Sequence, residues 1–170
     1  MKKQIKKKNG FTIIEVVLVL AIAGLIFLMV FVALPALQRS QRDTQRRDDM
    51  ARFLSQLNQY QANNSGKVPK DQGAYTNFVD SYLTVSGQDS FEDPSTGNVY
   101  QIKSWVECGK NSVTCDGETD VNNVSSAAMG DIYVYTNATC DGENPKKVQG
   151  DRKIAIRLNL EGAGIYCGSN

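Results

Sequence analysis

The sequence predicts an α+β protein: a long N-terminal helix, first anchor and then spine, carrying a small antiparallel β-sheet head. Three observations predict it. Residues 11–34 are apolar but for one carboxylate, an apolar stripe of helical period begins at Met50, and beyond residue 66 short strand patterns alternate with turn clusters. At 170 residues the chain holds one domain plus an appendage.

Charge and composition narrow the function. The chain has 19 Lys+Arg and 18 Asp+Glu, a net +1 that argues against a general nucleic-acid binder. The balance is uneven. Lys2, Lys3, Lys6, Lys7 and Lys8 place +5 in the first ten residues, which leaves 14 basic against 18 acidic residues, or −4, for the remainder. Histidine is absent, so His-dependent triads and His metal sites are excluded. No nucleophile elbow or phosphate-binding glycine loop occurs either. The expectation is a protein that is not an enzyme and needs no cofactor.

The anchor comes first. Residues 11–34 are 24 residues with one charge, Glu15. As a helix they span about 36 Å at ~1.5 Å per residue, against a bilayer core of about 30 Å. The lysines hold the N-terminus on the cytoplasmic side and place the head outside. Ala21-Ile22-Ala23 fits the cleavage pattern of a secretory signal, but the apolar run continues ten residues past Ala23 and contains an acid. A plain single-pass anchor leaves Glu15 without a purpose, and an intramembrane carboxylate is costly enough to read as functional.

A third reading accounts for Glu15. The segment Lys6-Lys7-Lys8-Asn9-Gly10-Phe11-Thr12-Ile13-Ile14-Glu15-Val16 resembles the class III leader of type IV pilin precursors and the related type II secretion pseudopilins. In that family a short basic leader ends in glycine, and an aromatic residue, Thr, two apolar residues, Glu and a long apolar run follow. The resemblance implies that a prepilin peptidase cuts between Gly10 and Phe11 and N-methylates the new Phe11 amine. It implies that Glu15 pairs with the Phe11 amine of a neighbouring subunit, because a buried charge without a partner is very costly. A glycine at Gly24 also fits. The helix proline common in the family falls at Val32, and here Pro35 takes its place three residues later. Gly24 and Pro35 are the expected helix-break positions, with any melted segment shifted accordingly. The partners implied are the peptidase, other copies of the chain and related pilins, an assembly ATPase and a membrane platform.

The spine follows. Pro35 should kink the helix rather than end it. Residues 38–49 contain no apolar side chain and read as a solvated helix laced by the i, i+4 pairs Arg39–Asp43, Asp43–Arg47 and Asp48–Arg52. Arg39, Arg42 and Arg46 share one face and offer a docking row for acidic neighbours in a filament or for DNA; nothing else supports nucleic acid as a partner. Met50, Phe53, Leu54, Leu57 and Tyr60 form the stripe that should face a core, and Asn63-Asn64-Ser65-Gly66 should stop the helix. The organisation expected is a cleaved leader over 1–10, a membrane and filament-core helix over 11–35, its amphipathic continuation over 36–66, and a head over 67–170.

The head carries a short helix near 74–83, a turn cluster at Asp93-Pro94-Ser95-Thr96-Gly97-Asn98, and strand patterns at 99–106, 131–136, 153–160 and 163–167. All four cysteines lie here: Cys108, Cys115, Cys140 and Cys167. Outside the cytoplasm they should form disulfides, with three connectivities open. The favoured pairs are Cys108–Cys115, closing a short turn-rich loop, and Cys140–Cys167, tying the last strand back as in the C-terminal region of many pilins. A four-thiolate metal site lacks any C-x-x-C pair. Thr114-Cys115-Asp116-Gly117-Glu118 recurs as Thr139-Cys140-Asp141-Gly142-Glu143, suggesting two similar turn-bearing loops. Asp116, Glu118 and Asp120 alternate like calcium-loop ligands, but the loop lacks the glycine and the closing glutamate of that motif. They are a weak calcium candidate, and no metal is expected.

The expectation is therefore a structural subunit of a type IV pilus-like surface filament, made as a single-pass membrane precursor with its N-terminus in the cytoplasm and matured into an extracellular filament. The alternatives are a pseudopilin of a secretion or DNA-uptake machine, and a membrane-tethered binding module that does not polymerise. The sequence does not choose between motility, adhesion, DNA uptake and secretion.

Overall fold

A computed structural model describes residues 10–84, 90–108, 115, 127–150, 152–162 and 164–170, the side chains of residues 104 and 105 excepted. The elements are α1 (Ile13–Asn63), α2 (Gln72–Tyr82), β1 (Gln101–Glu107), β2 (Asp131–Thr136), β3 (Ala138–Asp141), β4 (Asn144–Lys147), β5 (Ile154–Asn159) and β6 (Ile165–Ser169). The chain divides into two compact units, Met1–Gln38 and Arg39–Asn170.

The first unit is the apolar part of α1. Every large apolar side chain from Phe11 to Leu37 is exposed, Phe11 at 88%. A helix apolar all round belongs in a bundle or a bilayer, and α1 is long and apolar enough to cross a membrane. The breaks expected at Gly24 and Pro35 are not seen in the single subunit, since α1 is helical on both sides of each. Proline removes one backbone hydrogen bond, which weakens a helix locally without ending it.

The second unit is the head. Its main sheet has the order β1-β2-β5-β6. β2–β5 and β5–β6 are antiparallel, as expected, but β1–β2 is parallel, with a register shift between Ile102 and Ser104. Parallel neighbours need a long connection, and 23 residues of sequence separate the end of β1 at Glu107 from the start of β2 at Asp131. β1 is an edge strand, and two features blunt that edge: the register shift, and Gln72 of α2, whose Nε2 donates to the Ile102 carbonyl at 3.0 Å.

One face of the sheet receives the helices. Met50, Phe53, Leu54 and Leu57 of α1 and Tyr75, Phe78 and Val79 of α2 pack with Ile132, Val134, Ile154, Ile156 and Leu158. This is the predicted stripe, docked as expected. Phe53 stands edge-on to Phe78 with ring centroids 5.3 Å apart, a contact worth about 0.5–1.5 kcal/mol beyond its buried area. Asp71 caps α2 by accepting from the Ala74 N–H at 2.8 Å. The stop at Asn63-Asn64-Ser65-Gly66 also forms: α1 ends at Asn63, and Gly66 has φ 78°. The positive φ favours glycine there, while the Arg152 guanidinium that a Cβ would meet at 2.6 Å is the end of a flexible exposed side chain and can move aside.

The other face is covered by the hairpin β3–β4, which the sequence did not suggest. Consequently all six β5 residues are buried, not one alternating face. Arg157 reaches across, its Nε donating to the Glu143 carbonyl at the hairpin turn at 3.0 Å. The hairpin turn explains one copy of the recurrent pentapeptide, with Gly142 at φ 63°; residues 116–118 of the other copy lie outside the described residues. Both favoured disulfides are present, Cys108–Cys115 and Cys140–Cys167. The second ties the hairpin to β6 at the sheet edge.

Candidate functional site

The leader residues take up a defined geometry at the start of α1. Gly10 and Phe11 precede the helix and are exposed. Thr12 is its cap. The Thr12 N–H and hydroxyl both donate to Glu15 Oε2, at 2.8 and 2.7 Å, and the Glu15 N–H returns a bond to Thr12 Oγ1 at 3.4 Å. This is a capping box, in which a Ser/Thr and an acid three residues on satisfy each other's orphan groups. The pattern Thr12-x-x-Glu15 was legible in the sequence, and reading Glu15 only as a register residue missed it. Both Thr12 donors converge on Oε2. The carboxylate is thereby hydrogen-bonded in its charged form before any partner arrives, while the peptide bond after Gly10 stays outside the helix.

Phe11, Glu15, Val16, Val19 and Leu20 line one side of the helix. The surface they make is apolar with a single acid, suited to another apolar helix that brings one positive charge.

The second constellation overturns an expectation. Residues 38–49 are not a helix solvated on all sides. Arg46 has no exposed surface, and Asp43 and Asp49 are buried. The described ion pair of Asp43 is not with its expected i, i+4 partners Arg39 and Arg47 but with Arg46. Arg46 Nε and Nη2 donate to both carboxylate oxygens of Asp93 at 2.6 and 3.1 Å. Arg46 also donates to Asp43 at 2.8 Å, Ser95 at 2.8 Å and Glu161 at 2.9 Å. Arg42 forks onto Glu161, and Asp43 accepts the backbone N–H groups of Glu161 at 2.9 Å and Gly162 at 2.8 Å. Arg42 and Arg46 of the proposed docking row are therefore spent inside the subunit, and Arg39 alone stays exposed. Asp49 accepts from the Tyr100 hydroxyl at 3.0 Å. No sequence signal joins these residues, because the partners of Arg46 lie 3, 47, 49 and 115 positions away.

Electrostatics follow from this geometry. Burial alone would raise the Asp93 carboxyl, but hydrogen bonds from Arg46 and Ser95 outweigh it and hold the group at about 2. Glu161 is held at about 2, chiefly by its bond from Arg42, with burial opposing and Arg46 assisting. Burial pushes Asp49 upward, offset in part by the Tyr100 hydrogen bond. Asp93 and Glu161 thus titrate lower in the folded chain than in the unfolded one, where values near 4 apply. Their contribution is complete above the unfolded values and is lost as pH falls through the folded ones; Asp49 works in the opposite sense. The melting temperature should be level from about pH 8 to pH 5 and drop between about pH 4 and pH 2. Thermal unfolding across that range checks this, and a level profile down to pH 2 would show the two carboxylates unpaired.

The turn after β5 is close-fitting. A Cβ on Gly162 would lie 2.9 Å from Asp43 Oδ2. Because Asp43 is fixed by Arg46 and two backbone donors, Gly162→Ala should cost about 1–3 kcal/mol through overpacking. Denaturant unfolding measures it, and an unchanged midpoint would mean that the turn yields freely.

The weak calcium candidate Asp116, Glu118 and Asp120 falls outside the described residues. Among the described residues no group of three or more His, Cys, Asp or Glu is placed to hold a metal.

A family model for the prokaryotic N-terminal methylation motif matches residues 5–31, covering part of the leader and most of the apolar helix. No curated protein and no solved structure matches the chain. The motif and the apolar helix fit a membrane-anchored precursor that a prepilin peptidase would process. The chain carries at its N-terminus the class III prepilin leader of type IV pilins and pseudopilins, followed by an α+β architecture of the pilin kind.

Proposed function

We propose that the protein is the structural subunit of a type IV pilus-like surface filament, and not an enzyme. A prepilin peptidase cuts the membrane-anchored precursor after Gly10 and methylates the Phe11 amine. The exposed apolar stretch of α1 then moves from lipid into a bundle of identical helices. Each Glu15 exchanges its Thr12 donors for the Phe11 amine of a neighbour. An assembly ATPase and a membrane platform drive the transfer, and the heads form the outer surface. That surface is acidic: residues 67–170 hold 9 basic and 14 acidic groups, or −5.

The observation that carries this reading is the pairing of an intact leader motif with a wholly exposed apolar helix bearing one capped carboxylate. An ordinary anchor needs neither the carboxylate nor the leader. The test is mass analysis of the N-terminal peptide from sheared cell-surface material. N-methyl-Phe11 in a sedimenting surface filament supports the proposal. The same terminus confined to the cell envelope identifies a short pseudopilus. A terminus at Met1 in the membrane fraction identifies a plain tether, and one at Gly24 a secreted head.

A further inference from the structure

We propose that the hairpin β3–β4 is a redox-latched flap: the Cys140–Cys167 disulfide, rather than packing, holds it over the sheet, and a dithiol reductant releases it while the helix-side layer stays folded. The inference concerns the head alone and does not rest on the filament reading.

The sheet itself is written for water on the hairpin side. Ile154, Ile156 and Leu158 of β5 and Ile132 and Val134 of β2 belong to the helix-side core. The alternate positions are Ala155, Arg157 and Asn159 on β5 and Tyr133 and Tyr135 on β2. Apolar residues on one face and polar or amphipathic ones on the other mark a sheet with one face solvated. The hairpin covers that second face with little of its own. Of the eight residues in β3 and β4 only Ala138 and Pro145 are buried. The cluster beneath is small, with Tyr135, Ala138 and Ala155 beside Cys108 and Cys115. A lone two-stranded hairpin is marginal in water. Closing it also takes the Arg157 guanidinium out of water, 1% exposed, against the Glu143 carbonyl and Asn144 Oδ1 at 3.0 and 3.3 Å. Desolvating a cation opposes closure, and these bonds offset part of that cost.

Described bonds fasten the hairpin at both strands. β3 is tied to β6 by Cys140–Cys167 and by the Thr139 and Ser169 hydroxyls at 3.0 Å. β4 is tied by the Lys147 N–H, which donates to the Cys115 carbonyl at 3.0 Å. Single hydrogen bonds contribute little net, so the covalent tie decides. It is also the reachable one: Cys140 and Cys167 are half-buried, whereas Cys108 and Cys115 are buried. Thiol–disulfide exchange needs access to sulfur. One thiolate of the reductant attacks a sulfur of the Cys140–Cys167 pair and frees the other cysteine. The reductant's second thiolate then displaces the remaining cysteine, and the reductant leaves as a cyclic disulfide. Two electrons and two protons pass to the cysteines. The flap closes again only where thiols are oxidised.

The test treats the full chain in detergent micelles with dithiothreitol, identifies the freed thiols by alkylation and mass, and follows amide hydrogen exchange. Cys140 and Cys167 should be freed first, with Cys108–Cys115 still closed. In that species the Lys147 amide and the β3–β4 amides should exchange about tenfold faster or more, while the β2 and β5 amides keep native protection. Unchanged protection at Lys147 would mean that packing holds the hairpin, and the proposal falls. Loss of protection in β2 and β5 in the same species would make the disulfide a staple of the whole head, which also overturns it. So would prior opening of Cys108–Cys115. Cys140→Ala combined with Cys167→Ala should reproduce the selective loss without reductant, which separates flap release from any effect of the reagent. If that double variant does not fold, reduction of the native chain decides alone, with the same outcomes.

Discussion

Glu15→Gln should abolish surface filaments while cleavage after Gly10 and folding of the head proceed normally. Glutamine is the informative choice. It completes a capping box nearly as well as glutamate, so the start of α1 is preserved and only the charge is lost. In the filament proposed here each Phe11 amine then has no counter-ion within an apolar bundle. Removing one partner of a buried pair costs about 3–5 kcal/mol, which is a factor of roughly a hundred to a few thousand for each subunit added, at about 1.4 kcal/mol per tenfold. Elongation cannot survive that. Electron microscopy of sheared fractions, with mass analysis of the membrane-bound subunit, reads both halves of the expectation. Filaments at native abundance would leave Glu15 as a helix cap and nothing more.

Arg46→Ala should be the most damaging single substitution in the ion cluster. It leaves Asp93, wholly buried, facing a void, while Glu161 keeps Arg42. The expected cost is about 3–5 kcal/mol, a large share of the roughly 5–15 kcal/mol that holds a typical domain together. For a head of this size the melting temperature should fall by about 10–20 °C. Arg39→Ala, on the exposed side of the same helix, should stay within about 0.5 kcal/mol of the native chain. Calorimetry on the two variants separates the cases. Equal melting temperatures would mean that Asp93 finds another cation, and the cluster drawn from these distances would be wrong.

These two residues mark what the sequence disclosed and what it hid. Glu15 was legible because its chemistry is contiguous: leader lysines, glycine, cap and acid lie within ten residues of one another. The stripe from Met50 to Tyr60, the strand at 131–136 and the Cys108–Cys115 disulfide were legible because periodicity, alternation and turn spacing are local, whereas Cys140–Cys167, 27 positions apart, was favoured by the resemblance to pilins. Arg46 was hidden, since its meaning depends on residues 47 to 115 positions away. A helix face made entirely of polar residues is ordinarily solvated, and only the tertiary fold supplies Asp93 and Glu161 opposite Arg46 and Arg42. The hairpin β3–β4 was obscured by its shortness and by Pro145, a residue that argues against a strand. The parallel pairing of β1 with β2 was unreadable because alternation along a strand says nothing of the direction of its neighbour.

The remoteness of Arg46 from its partners also orders events during biogenesis. The pairing of β3 with β4 joins residues a few positions apart and closes early, whereas contacts across long separations form late, since a large loop must close before they contribute. Until Glu161 has been synthesised and brought back, the arginines and aspartates of residues 38–49 have only water and one another to bind. That stretch then acts as a hydrophilic stop on the emerging chain, which keeps the apolar helix from drawing further residues into the bilayer while the head is unfinished. Once the sheet docks, Asp43, Arg46 and Asp49 leave water and become the seat of the head. These three residues thus serve two solvents in succession.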